Sequence, residues 1–135
     1  MGTKADFYIG INNPEWIGSL DKGGEPWNIP CKILIQTNVT MFEETMIDFL
    51  TINNGIIKSN GDVWPWPWED SKLTDYSYIF NKKDNLIYAY SAHEKIIFHP
   101  LMIAQGEDLN NAHVHMIVKF PLMGVGYGPN ATKII

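Results

Sequence analysis

Three tryptophans alternate with two prolines in Trp64-Pro65-Trp66-Pro67-Trp68, and the run continues through Glu69, Asp70 and Ser71 towards Asp75-Tyr76-Ser77-Tyr78. Each proline fixes its own φ and pushes the residue before it out of the helical region, so the stretch must be extended. The missing N–H groups at Pro65 and Pro67 bar it from the middle of a sheet and place it at a rim, as an edge strand or a polyproline-like crossing. Its indoles are then either the core of a small sheet-and-helix domain or a contact face, because Trp and Tyr combine large rigid area with a polar handle.

Periodicity supplies the rest of such a domain. Ala5, Phe7, Ile9 and Ile11 alternate with Asp6, Tyr8 and Gly10, which predicts a half-buried strand. Asn12-Asn13-Pro14 turns the chain, and residues 15–20 return as the hairpin partner. Gly18 in that partner leaves room for a large neighbour such as an indole. Pro30 opens a short helix over residues 31–36 with Ile33 and Leu34 inward. Thr40 and Glu43 have the spacing of a capping box, and Met41, Phe42, Thr45, Met46, Phe49 and Leu50 follow as one buried helical stripe that Asn53-Asn54-Gly55 ends.

Further on, Tyr76, Tyr78 and Phe80 alternate, as do Leu86, Tyr88 and Tyr90 across the loop 81–85, which predicts a long antiparallel hairpin. A short apolar run at 95–98, an exposed polar stretch at 105–111 and a last strand at 113–120 complete the expectation. The predicted fold is α+β: one domain over residues 1–135, an antiparallel sheet of about five strands, a two-helix insertion packed on one face, and a glycine-rich tail from about 121.

Composition narrows the function. A net charge of −5, with ten lysines and no arginine, argues against nucleic acid as a partner, since phosphate recognition favours basic patches and bidentate arginine. No apolar run reaches the length of a membrane span and no signal peptide is apparent, so a cytoplasmic protein is expected. The lone Cys31 excludes an intramolecular disulfide; near a helix start its thiol could be activated, but a buried inert thiol is the simpler reading.

The blocks Met1-Gly2-Thr3-Lys4-Ala5-Asp6-Phe7-Tyr8, Glu15-Trp16-Ile17-Gly18-Ser19 and Trp64–Ser71 with Thr74-Asp75-Tyr76 resemble a family of small proteins of bacteria and their phages. The resemblance implies no catalytic residues. It implies an accessory role, such as blocking or sequestering a host or defence component, and a variable region beyond Phe80.

Two chemistries compete. In the first, Trp64, Trp66, Trp68, Tyr76 and Tyr78 with the carboxylates Glu69, Asp70 and Asp75 form an aromatic–acidic face that binds a host or defence protein, or a small planar ligand, without catalysis and without a cofactor. An uncovered edge at the tryptophan–proline segment would also permit self-association. In the second, His113 and His115 share one strand face and chelate a metal with His93 or His99, and Asp70 or Asp75 serves as base in a small hydrolase. Against the second, the face opposite His113 and His115 is the apolar one, which makes the histidine side the solvent side. Asp70 likewise reads simply as a turn residue after an extended segment.

Overall fold

The computed structural model describes residues 2–11, 14–67 and 74–114. Strands β1 (Ala5–Ile9) and β2 (Glu15–Leu20) form the expected hairpin, with a bulge that sets Tyr8 opposite Trp16. After a 3-10 turn at Pro26–Asn28 come α1 (Cys31–Leu34), α2 (Val39–Ile52) and a two-residue strand β3 (Ile56–Ile57) that pairs with β2. The tryptophan–proline segment leads to β4 (Tyr76–Asn81), β5 (Leu86–Ser91) and β6 (Ile96–Phe98), and short helices α3 (Pro100–Ala104) and α4 (Leu109–Ala112) follow.

The six strands make one sheet in the order β3-β2-β1-β4-β5-β6. Sheet and helices form the predicted α+β fold, and the helices lie on one face, but the sheet is mixed. β4 runs parallel to β1, pairing Ala5 with Tyr76 through Ile9 with Phe80. The reason lies in connectivity. The two helices lie between β2 and β3, which build outward from one side of β1; the connection after β3, which carries the tryptophan–proline segment, then crosses to the free side of β1 at its starting end, and a crossover of that kind yields a parallel pair.

β1 is therefore a central strand, and it is not half-buried as its alternation suggests; all five of its residues are buried. On one face Ala5, Phe7 and Ile9 join Tyr78, Phe80, Ile87, Ala89 and Phe98 beneath the helical residues Ile33, Leu34, Phe42, Met46 and Leu50. On the other, Tyr8, Trp16, Ile79, Tyr88, Tyr90 and Ile97 pack with Trp64, and Trp66 and Val114 lean against them. The tryptophan–proline segment is thus the cover of the second face.

Local chemistry changes several element ends. The cap of α2 is Asn38, whose side-chain oxygen accepts from the Met41 amide at 3.0 Å, so the Thr40–Glu43 box is not the start of the helix. Thr45 donates to the carbonyl of Met41 at 2.7 Å rather than packing inward, and Met41 is exposed. α1 stops at Leu34, two residues earlier than expected, and Cys31 is exposed because Ile33 and Leu34 take the inward side of so short a helix. Residues 105–111 are not wholly irregular: Asp108 caps α4 by accepting from the Asn111 amide at 2.9 Å. Of the predicted strand at 113–120, His113 bridges Phe98 and the Val114 amide donates to Ile97, while 115–120 and the tail from 121 lie outside the described residues.

Gly18 makes room for α2 and β3, not for an indole. A Cβ placed there would sit 2.4 Å from Leu50 Cδ1 and 2.6 Å from the Ile56 carbonyl oxygen. Backbone cannot yield as a side-chain tip can, so Gly18→Ala is expected to destabilise the protein by about 2–3 kcal/mol, measured as a lower denaturant midpoint at unchanged slope.

Candidate functional site

Two polar arrangements grow out of this sheet. The first centres on Asp6, the second residue of β1 and fully buried. Its Oδ1 accepts from Ser19 Oγ at 2.6 Å and from the Trp66 indole N–H at 2.8 Å, and its Oδ2 accepts from Thr74 Oγ1 at 2.7 Å. Ser19 in turn accepts from the Trp16 indole at 2.9 Å. One carboxylate thereby ties β2, the tryptophan–proline segment and the lead into β4 to the central strand. Burial pushes the Asp6 carboxyl up from the ordinary 3.8 to about 6, although the hydrogen bonds from Ser19, Thr74 and Trp66 each work against that rise.

This network assigns the predicted residues. Trp64 is buried, edge-on to Trp16 at 5.9 Å between ring centres, so it is core and not contact face. Trp66 is partly buried, its N–H committed to Asp6 and its ring 5.1 Å beneath Lys4 Nζ. Tyr78 is also core: its ring stacks on Phe7 at 5.2 Å and its hydroxyl donates to the Gly24 carbonyl at 2.6 Å. Trp68, Glu69 and Asp70 lie outside the described residues. Asp75 is a staple, accepting from the Lys4 amide at 2.7 Å and meeting His93 Nε2 at 2.6 Å.

The histidines separate. His93 belongs to Asp75, His99 lies against the Tyr88 ring at 5.1 Å with burial holding its pKa down, and His113 bridges Phe98. His115 is outside the described residues, among which no three His, Cys, Asp or Glu side chains are grouped as a metal site requires.

The second arrangement is open to solvent. A cleft of about 400 Å³ lies over the ends of β4, β5 and β6, floored by Tyr76, Ser91 and Phe98. Pro26 and Trp27 form one wall; Ile103, Gly106 and Leu109 form the other, and Glu94 and Glu107 add carboxylates. Its position follows from local structure. The Tyr78 hydroxyl pins Gly24, which sets the 3-10 turn carrying Trp27 above the sheet. Gly106, at φ 96°, turns the chain sharply after α3 and brings Glu107 round to the cleft.

The cleft's groups are well defined. Tyr76 is half-buried and edge-on to Phe98 at 6.2 Å, whereas Trp27 is 62% exposed. Ser91 donates to the Glu94 carboxylate, and Glu107 accepts from Asn111 Nδ2 at 3.0 Å. Burial holds the Tyr76 phenol above its usual range, assisted by the negative charges of Glu94, Glu25 and Asp75. Ser91 and His93 have different carboxylate partners, so the described contacts assemble no serine–histidine pair. The cleft can hold and orient a guest.

Among the described residues of the expected binding face, Tyr76 alone lines this cleft; Trp27, Phe98, Glu94 and Glu107 were missed. Only the Pro26-Trp27 pair, a proline-fixed turn carrying a large ring, hinted at the wall. No protein-family model, curated protein or solved structure matches the chain.

The Asp6 network makes stability depend on pH in a defined direction. Because the folded-state pKa lies above the unfolded one, the folded chain holds the proton more tightly, and this group's contribution is greatest below about pH 4 and is lost as pH rises through about 6. At about 1.4 kcal/mol per unit, the loss is roughly 3 kcal/mol. Urea unfolding of the wild type and Asp6→Asn at a series of pH values should show their stability difference moving by about that amount, in favour of the variant at higher pH; parallel profiles would contradict it.

Proposed function

We propose that this is a non-catalytic binding protein, and that it seats a small ligand with an apolar body in the cleft above Tyr76. The observation that carries this reading is the cleft itself: a volume of about 400 Å³ walled by Trp27, Tyr76 and Phe98. That falls within the roughly 300–1,000 Å³ of small-molecule sites, which are mostly apolar with a few placed polar groups. The exposure of Trp27 points the same way, since an indole held over an open cleft has apolar area to bury against a guest. Asp6, the most perturbed carboxyl on the second face, has no exposed surface and its hydrogen bonds serve the fold.

The resemblance to proteins of bacteria and their phages fits an accessory role, in which the protein withdraws a ligand from a host or defence system. Sequestration requires affinity and no turnover, which suits a cleft whose polar groups are few and whose walls are rings.

Benzyl alcohol serves as a neutral aromatic probe. Titrated into isotope-labelled protein, it should shift the Trp27 indole resonance and the Gly106 amide before other signals. Trp27→Ala, at an exposed position, should keep the wild-type melting temperature within a few degrees while weakening the probe about tenfold or more. Shifts scattered over the surface, or an unchanged affinity in Trp27→Ala, would count against the cleft.

A further inference from the structure

The charged residues described as lining the cleft are both carboxylates, Glu94 and Glu107, and Glu25 stands immediately before the Pro26–Trp27 wall; His93 and Lys95 flank Glu94 in the chain, but neither is among the described lining residues. The glutamate carboxylates are held, not free to swing: Ser91 donates to Glu94, Asn28 Nδ2 donates to Glu25 at 3.1 Å, and Asn111 donates to Glu107. Aromatic rings supply a second attraction of the same sign, since the π-face of Trp or Tyr draws a cation placed over it. An anion entering here would meet carboxylates and ring faces together and would be repelled by both.

The apolar character of the walls narrows the cation further. A primary ammonium is a compact, strongly hydrated charge that must replace its water with hydrogen-bond acceptors. The acceptors described in the cleft are few, chiefly the Glu94 and Glu107 carboxylates, each already accepting one hydrogen bond, and Trp27, Phe98, Ile103 and Leu109 make most of the remaining lining apolar. A quaternary or heavily alkylated ammonium has weak hydration and spreads its charge over methyl groups, so it can bury those groups against rings while the carboxylates balance the charge from the rim.

Resting on the proposed binding role of this cleft, we infer that its ligand is a small organic cation of the quaternary or alkylated ammonium class, selected over neutral molecules of the same shape. Two forces then act together: ring faces and held carboxylates attract the charge, and the apolar walls favour a guest that gives up little hydration. Neither demands chemistry of the guest, in keeping with sequestration.

The test compares choline with its carbon isostere, in which a tert-butyl group replaces the trimethylammonium, by calorimetry and by the Trp27 indole resonance. The expected result is choline binding at least about tenfold tighter than the isostere, an advantage that shrinks as salt is raised. Glu94→Gln and Glu107→Gln, both at exposed positions, should each reduce the choline affinity about three- to tenfold and narrow its advantage over the isostere by a similar factor. Equal binding of the two probes would overturn the charge selection and leave the cleft as a binding site. Binding of benzyl alcohol but not of choline would do the same. Failure of choline, the isostere and benzyl alcohol alike would overturn both this inference and the binding role it rests on.

Discussion

The cover of the second face of the sheet is tied to a single buried carboxylate whose described partners are all neutral. Asp6 is taken wholly out of water and met by three neutral donors, from Ser19, Thr74 and Trp66. Those bonds do not fully offset desolvation, which is why the carboxyl titrates near 6 and not below 4. What the arrangement supplies is position. A segment with prolines at alternate places cannot be held by a regular ladder of backbone hydrogen bonds, so side-chain donors must fix it. The Trp66 indole and the Thr74 hydroxyl, on either side of the undescribed residues 68–73, both end on Asp6. Removing the carboxylate's charge should therefore relieve desolvation at neutral pH while loosening what defines the path of the cover. Ser77 sharpens the point, because it pairs with Asp6 across the parallel strands and its buried hydroxyl has no hydrogen-bond partner among the described residues. Two polar groups sit side by side on neighbouring strands, and among the described residues only Asp6 is met by side-chain donors.

The parallel pairing of β1 with β4 has a consequence at the other face. It sets Tyr76 level with Ala5 at the start of both strands, and β5 then brings Ser91 beside Tyr76. That corner of the sheet lies away from α2, which packs chiefly on β2, β3 and α1 and meets β4 through Phe42 on Phe80, near the other end of that strand. It is covered instead by short pieces: the 3-10 turn with Trp27, α3 with its glycine turn, and α4. Short helices do not carry enough apolar face to close a corner completely, and the cleft is what they leave. Its carboxylates arise from the same construction, since Glu94 lies in the β5–β6 turn and Glu107 in the link from α3 to α4. The site is thus assembled from three separate stretches of chain that the central strands bring to one end.

This explains what could and could not be read from the sequence. The strands at 5–9, 15–20, 76–81 and 86–91 were legible because period-two alternation and turn residues are local signals, and α2 was legible from its stripe. Its cap was not, because Asn38 and Thr40 both stand where a capping side chain could act, and Asn38 reaches the Met41 amide first. The parallel pair was invisible because alternation does not encode direction. The burial of Asp6 was invisible for a related reason: a polar residue in an alternating strand reads as solvent-facing unless something known to cover it lies elsewhere in the chain. The indole N–H groups were the available hint, since a buried tryptophan needs an acceptor. Tyr76 and Tyr78 show the limit most clearly. Both fall on one face of β4, yet Tyr78 lies under the pinned Gly24 loop and Tyr76 opens into the cleft, a difference set by non-local contacts.

A raised carboxyl pKa beside aromatic rings is the signature often taken for an acid–base catalyst, and here it separates from the accessible cleft. Asp6 has the perturbed carboxyl without access: no surface, three committed donors and a tryptophan over it. The cleft has the access: its serine hydroxyl donates to Glu94, and burial with neighbouring negative charge holds its Tyr76 phenol above the usual range. Recognition needs only access, and the exposed Trp27 gives it a favourable term realised on binding, when area facing water in the free protein is covered by a guest. The two faces of the sheet therefore differ in kind: on one a buried carboxylate met by neutral donors fixes the chain, and on the other held carboxylates stand beside exposed rings.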